Sequence, residues 1–194
     1  MINNKGTTKG FTLVETLVSI AIFGLLSTAL VNIFVSGIKT QARIMQNQEL
    51  MEQSSYSLEY MGKVIRMAKK DEAGGCTGTA NVNYGGTTTS IYFLAYDSIA
   101  LDYRCRRFFL DTDYAIKEER SSDLARTFSA SPSPLTSSRV KVNNIRFAVT
   151  GDGTDSLQPK TTIMMYMESN STATNPPKLI IQTSISQRQL DIAE

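Results

Sequence analysis

Glu15 is the one charged side chain in the long apolar stretch from Phe11 to Ile38. A carboxylate costs at least about 2.5 kcal/mol at the centre of a lipid bilayer, so it requires a partner there. Removing one member of a buried ion pair is strongly destabilising, because the other charge is left uncompensated. The sequence around Glu15 must therefore provide, or be able to create, a cation close to the start of the apolar stretch.

The residues before Glu15 resemble the processing site of type IV prepilins. The resemblance rests on a short leader with Lys5, and then on a basic residue, a glycine, an aromatic residue and a glutamate at fixed spacing: Lys9, Gly10, Phe11 and Glu15. It implies that a membrane peptidase cuts after Gly10 and that the new N-terminal residue, Phe11, is methylated. It also implies that Glu15 pairs with the terminal amine of a neighbouring subunit, which is the cation that this carboxylate requires.

Two simpler interpretations explain a basic segment followed by an apolar one. A secretory signal peptide has an apolar core of about 7 to 15 residues, and this stretch is far longer. An ordinary N-terminal membrane anchor needs only hydrophobicity and flanking lysines, so it is the stronger alternative.

The elements that position these residues divide the chain into four segments. At ~1.5 Å per residue, a helix from Phe11 to Ile38 is about 42 Å long, which exceeds the ~30 Å hydrocarbon layer. Beyond it, apolar residues recur at three- and four-residue intervals, which predicts that the helix continues to about Lys70 and packs on a sheet. The predicted stripe is Met51, Leu58, Met61, Ile65 and Ala68. The predicted segments are a leader (1–10), a transmembrane helix (11–38), an amphipathic helix extension (39–70) and a β-sheet head (71–194).

The two cysteines, Cys76 and Cys105, both lie beyond the membrane segment. By the positive-inside rule, Lys5 and Lys9 keep the leader cytoplasmic, which places the head in the periplasm or outside the cell. In that oxidising space the two cysteines predict one disulfide, and a pair of free buried thiols is the alternative.

The head has six strand-like runs, and the short separations of the first three predict an antiparallel meander. They are 90–96, 101–110, 114–118, 140–149, 161–167 and 179–186. The segments 71–90 and 121–138 are rich in turn-forming residues and are predicted loops. Within 140–149 the apolar residues change phase, so Asn143 and Asn144 predict a bulge. The predicted fold class is α+β, with a long N-terminal helix packed on an antiparallel sheet.

The resemblance extends to the last strand, and the chain departs from the family's major subunits at one position. The last strand is similar to the tail of J-type minor pseudopilins and minor pilins. Asn32 stands where the major subunits of the family usually carry a proline, which favours a minor subunit. The implied partners are other pilin or pseudopilin subunits, the prepilin peptidase, the inner-membrane assembly platform and the membrane itself.

Three arginines of the second strand of the head, Arg104, Arg106 and Arg107, lie beside the aromatic residues Tyr103, Phe108 and Phe109. Such a run can bind single-stranded nucleic acid, but it is more often a solvated strand face paired with nearby acids, here Asp111, Glu118 and Glu119. Removing Lys5 and Lys9 with the leader balances the 20 basic side chains against the 18 acidic ones. A nucleic-acid partner is therefore disfavoured.

The sequence contains no histidine, which removes the commonest general base and the commonest transition-metal ligand. An enzyme, a cofactor and a zinc site are disfavoured. A calcium ion is coordinated by six to eight oxygens, and only Asp152, Asp155 and Asp113 are candidate ligands. The segment from Gly151 to Asp155 is therefore predicted to be a hairpin turn.

These features predict a structural minor subunit of a type IV pilus or of a type II secretion pseudopilus, anchored by one span in the inner membrane. The alternative is a monomeric binding module tethered to the membrane, whose leader would stay on the chain. A membrane-anchored enzyme is a third class, and no residue cluster in the sequence supports it.

Overall fold

The computed structural model of the chain describes residues 10–128, 131–152, 157–173 and 175–188. The chain divides into two compact units, Met1–Met45 and Gln46–Glu194. The boundary between the units falls inside the helix α1, which spans Leu13–Arg66.

Nine strands follow α1 along the described residues. Their bounds are β1 Ala68–Lys69, β2 Gly85–Thr87, β3 Ser90–Asp97, β4 Asp102–Leu110, β5 Ile116–Arg120, β6 Ser133–Pro134, β7 Val140–Thr150, β8 Lys160–Ser169 and β9 Lys178–Ser186. The α+β class predicted from the sequence is confirmed.

The strands form two antiparallel sheets in the second unit. The first sheet has the order β1-β3-β4-β5-β6, with β2 also paired to β3, and the second has the order β7-β8-β9. The strands β3, β4 and β5 form the predicted meander. The register of β7 against β8 shifts between Val142 and Asn144, so the predicted bulge is confirmed.

The loop predictions for 71–90 and 121–138 were wrong at two places. Gly85–Thr87 forms β2 by pairing with the start of β3, and Ser133–Pro134 forms β6 by pairing with β5. A Cβ on Gly85 would collide with the carbonyl oxygen of Thr77, so a residue without a side chain is required for this close approach. The same glycines that indicate a loop in the sequence permit a strand here.

The helix also ends earlier than the predicted Lys70. Residues Ala68 and Lys69 leave the helix and pair with Ala95 and Leu94 of β3. The N–H of Arg188 donates to the carbonyl of Arg66 over 2.8 Å and so satisfies one of the last helical carbonyls. Pairing with a strand distant in sequence overrides the local helical pattern.

One apolar core lies between α1 and the two sheets of the second unit. The helix contributes residues at three- and four-residue spacing: Leu50, Ser54, Ser57, Met61, Gly62, Val64 and Ile65. Met61 is fully buried, whereas Met51 is 60 % exposed and was wrongly placed in the predicted stripe. Leu50 takes the inward position instead, because it lies one helical step of about 100° from Met51 and in phase with Ser54 and Met61.

Candidate processing and assembly site

Gly10 and Phe11 precede α1, which begins at Leu13. A Cβ built on Gly10 meets no atom within 4 Å, and the backbone of Gly10 is not in the left-handed region. Phe11 is 79 % exposed. Nothing in the fold of the described residues therefore requires glycine at position 10 or an aromatic ring at position 11.

Thr12 caps the helix that carries Glu15. The N–H of Glu15 donates to Oγ1 of Thr12 over 3.3 Å, and the N–H of Thr16 donates to the carbonyl of Thr12 over 3.2 Å. Thr12 and Glu15 occupy the first and last positions of the capping-box pattern, a signal that the sequence analysis missed. Glu15 thus sits in the first helical turn, where the helix dipole favours a negative charge.

The carboxylate of Glu15 forms no hydrogen bond and no ion pair with any residue from 10 to 188 that the structure describes. Its backbone groups, by contrast, are used: the carbonyl of Glu15 accepts from the hydroxyl of Ser19 over 2.7 Å. The cation that this charge requires in an apolar medium must therefore come from outside these residues.

The first part of α1 exposes almost its whole apolar surface. Its exposed large residues include Leu13, Val14, Leu17, Ile20, Phe23, Leu26, Leu30 and Phe34. Among the described residues, α1 is the one helix that is long and apolar enough to cross a membrane, and none of its apolar window is buried. A soluble monomer would expose all of this surface to water, so the segment is suited to lipid or to other helices.

In the second unit, by contrast, buried charged side chains pair with one another. Arg106 is 6 % exposed and pairs with Asp97 over 3.3 Å and with Glu118 over 3.1 Å. The hydroxyl of Tyr60, on α1, donates to Glu118 over 2.8 Å, and Arg120 pairs with the same carboxylate over 3.0 Å. Burial, reinforced by the charge of Glu118, raises the pKa of Tyr60. This network joins the helix to β3, β4 and β5.

The prediction of a solvated arginine face was wrong for Arg106, which is buried with its acids. Arg107 pairs with Glu119 over 2.7 Å, as the sequence suggested, but Asp111 pairs with Lys117 instead of an arginine. The charges of Arg106 and Arg107 are therefore used inside the second unit.

The candidate calcium ligands have other partners. Asp152 accepts the backbone N–H of Asn83 over 2.7 Å and that of Tyr84 over 3.2 Å, and Asp113 pairs with Lys117 over 2.7 Å. Asp155 lies outside the described residues. No group of three or more His, Cys, Asp or Glu side chains within the described ranges is placed to hold a metal.

Cys76 and Cys105 form a disulfide, and both residues are fully buried. The loop that leads to Cys76 is organised by the carboxylate of Asp71, which accepts N–H groups of Gly74, Cys76 and Thr77 over 2.8 to 2.9 Å. Burial by itself would raise the pKa of Asp71, but these hydrogen bonds outweigh it and hold the pKa below the ordinary 3.8.

Comparison with known proteins identifies the first segment. Residues 6–31 match the family model described as the prokaryotic N-terminal methylation motif. The matched range contains Gly10, Phe11 and Glu15, and it covers the exposed start of α1. No curated protein and no solved structure matches the chain.

Proposed function

We propose that this chain, whose residues 6–31 match the prokaryotic N-terminal methylation motif, is made as a type IV pilin-like precursor and matures into a minor subunit of a type IV pilus or type II secretion pseudopilus. A prepilin peptidase removes residues 1–10, and the new N-terminal residue, Phe11, is methylated. The observation that carries this proposal is the match over residues 6–31, which coincides with the exposed helix start.

The geometry around Gly10 supports recognition by a peptidase. A peptidase that cuts after Gly10 needs an accessible backbone at this point, and the segment before α1 provides one. Since the open space around Gly10 would admit any side chain, the glycine is best explained by the demands of the enzyme that binds it. Phe11, exposed beside it, becomes the first residue of the mature chain.

Glu15 supports assembly through the helix. Cleavage would create an amine on Phe11, and the carboxylate of Glu15 lacks a partner among the described residues. In the apolar interior of a helical bundle, the amine of one subunit and the Glu15 of the next would neutralise each other. Contacts of this kind are head-to-tail and do not close into a ring, so they produce a filament.

The remaining segments follow from this assignment. Residues 11–38 form the single span that stores the subunit in the inner membrane, residues 39–66 extend the helix, and the head begins with β1 at Ala68 and lies on the periplasmic or outer side. Asn32 in place of the usual proline favours a minor, J-type role. The partners are other subunits of the filament, the peptidase and the assembly platform of the inner membrane. The family of the motif is structural, and the proposed mechanism is assembly without catalysis.

The test is the intact mass and N-terminal peptide sequence of the protein extracted from native membranes. A chain that begins at methylated Phe11 is the expected result. A chain that keeps residues 1–10 in cells with an active prepilin peptidase would contradict the proposal and leave the tethered binding module as the better account.

The variant Gly10→Val sharpens this test. A side chain at position 10 meets open space, and so does one at position 37, so Gly37→Val is the matched control. Gly10→Val should abolish the mass change of processing, whereas Gly37→Val should be processed like the natural chain. Equal processing of the two variants would show that the glycine is not what the peptidase recognises.

A further inference from the structure

A groove runs between the last turns of α1 and the strand β9 in the second unit. Its volume is about 540 Å³. On the helix side it is lined by Gly62, Lys63 and Arg66, and on the strand side by Thr183 and Ser184, among others. We call it the helix–strand groove.

The strand presents its edge to this groove. Successive side chains of a strand point to opposite faces, yet Thr183, Ser184 and Ile185 all border the groove. Since β9 pairs with β8 alone in the order β7-β8-β9, its other edge has no strand neighbour among the described residues. A row of backbone N–H and C=O groups is therefore available along the groove.

The rim of the groove is cationic. Lys63, Arg66 and Arg188 are exposed, and none of them forms an ion pair with a described residue. Glu59 is the one carboxylate that lines the groove, so three cations face a single anion. The backbone bond from Arg188 to Arg66, 2.8 Å long, holds two of these cations side by side.

We propose that the helix–strand groove binds an extended acidic segment of a neighbouring subunit in the same filament. The segment adds to β9 as a further strand, and its carboxylates pair with Lys63, Arg66 and Arg188. Backbone hydrogen bonds supply affinity in this binding mode, while side chains at alternate positions supply specificity. The inference rests on the proposed function, because it takes the partner from the filament.

The structure favours a protein strand over a nucleic acid. A phosphate backbone would satisfy the three cations, but it has no pattern of donors and acceptors that matches the edge of β9. Ile180, at 72 % exposure on the same strand, offers an apolar contact to an alternating peptide. The open backbone edge of β9 and the exposed side chain of Ile180 are both contacted only when the occupant is an extended polypeptide.

The experiment places a photo-crosslinking amino acid at Ser184 of the full-length chain, expressed in cells that assemble the filament. Ala148, an exposed residue of the opposite edge strand β7, is the matched control position. Sheared filaments are irradiated, and the joined peptides are identified by mass spectrometry. Ser184 should crosslink to an acidic segment of another subunit, and Ala148 should not give that product.

A charge test accompanies the crosslink. The double variant Arg66→Glu/Arg188→Glu should reduce the product at least about tenfold, while Lys141→Glu/Arg146→Glu on β7 should leave it unchanged. Urea unfolding of both variants identifies any loss of crosslinked product that is caused by misfolding. The variant Arg66→Gln/Arg188→Gln, which removes the two charges without reversing them, should give an intermediate loss of product.

Four results would overturn the inference: no product from Ser184 in filaments, a product with residues 189–194 of the same chain, a product with nucleic acid, or a product indifferent to charge reversal. Each of these leaves the proposed function standing if the unmodified chain is found in the filaments with Phe11 at its start. Absence of the unmodified chain from filaments overturns both.

Discussion

Among the described residues, Glu118 and Glu15 are placed in contrasting ways. Glu118 is buried in the second unit, where Arg106 and Arg120 balance its charge and the hydroxyl of Tyr60 donates a hydrogen bond to it. Glu15 lies on the apolar start of α1, and its carboxylate has no partner among the described residues. The charge of Glu118 is therefore balanced within the second unit, whereas no described residue of either unit balances the charge of Glu15.

The apolar side chains of α1 also differ in burial between the two units. Met61 and Ile65, on the later turns of α1, are fully buried by the sheets, while Leu13 and Phe23, on the early turns, are mostly exposed. The later turns of α1 therefore form part of a closed apolar core, whereas its early turns present an exposed apolar surface. Substitutions in the second unit should change its stability, and substitutions in the first should change association.

The largest effect on stability is expected for Glu118→Ala. The change leaves Arg106 buried with only Asp97 to balance it, which should lower the free energy of unfolding by about 3 to 5 kcal/mol. Urea unfolding of the full-length protein in detergent, followed by circular dichroism, measures this loss. Glu52→Ala, at an exposed position of α1, should differ from the natural protein by less than about 0.5 kcal/mol. Equal effects of the two variants would show that the network does not stabilise the second unit.

Loss of the disulfide should come next. Cys76 and Cys105 are 29 residues apart, and a loop of this size corresponds to about 3 to 4 kcal/mol in the chain-entropy model. The variant Cys76→Ser/Cys105→Ser should unfold at a lower urea concentration than the natural protein. Addition of a thiol reductant should lower the urea midpoint of unfolding of the natural protein only. A shift of similar size in the double variant would indicate that some other reducible group is responsible.

A smaller effect is expected from Asp71 as the pH changes. Its pKa is below 3.8 in the folded protein, so the unfolded chain takes up the proton first as the pH falls. The stability that Asp71 contributes is therefore complete above about pH 5 and is lost progressively as the pH passes through 3.8 to the folded value.

Asp71→Asn tests this dependence. The variant should be less stable than the natural protein at pH 7, and the difference between the two should shrink between pH 5 and pH 2.5. Unfolding midpoints measured across that range decide the matter. A difference in stability that stays constant with pH would mean that the negative charge of Asp71 does not stabilise the folded protein.

The smallest effect on stability is expected for Glu15→Val, which is also the sharpest test of the comparison. The free energy of unfolding of the second unit should change by less than about 0.5 kcal/mol, because Glu15 belongs to the first unit. The amount of protein in sheared filaments should fall at least about tenfold, which corresponds to ~1.4 kcal/mol per subunit. Thr28→Val removes a polar group from the same helix and should assemble normally. Normal assembly of Glu15→Val would refute the role proposed for this carboxylate.

Much of the candidate processing site could be predicted because its residues are contiguous. Gly10, Phe11 and Glu15 lie within six positions, so their spacing is visible without a structure. The cap at Thr12 was visible in the same way and was missed. The helix–strand groove is different, since Arg66 and Arg188 come together only through the pairing of α1 with the end of the chain.

The fold shows the same limit. Longer strands and the bulge at Asn143 followed from alternation, whereas β1, β2 and β6 have two or three residues and are too short to show a period. The burial of Arg106 depends on the register of β4 against β5, which places it opposite Arg120 and near Glu118. Local patterns determine where strands occur, and long-range register determines which charges they bury.

The bonds between the end of α1 and the end of the chain also bear on the order in which the protein folds. Gln187 donates to the carbonyl of Ala68 across 119 residues, and Ile185 lies 3.5 Å from a Cβ placed on Gly62. A ribosome makes the helix well before it makes Ile185 and Gln187. The core therefore cannot close until β9 has been synthesised, and until then the buried side of the later helix needs protection from aggregation. Truncation after β8 should consequently leave a membrane-bound chain that is a substrate for proteases.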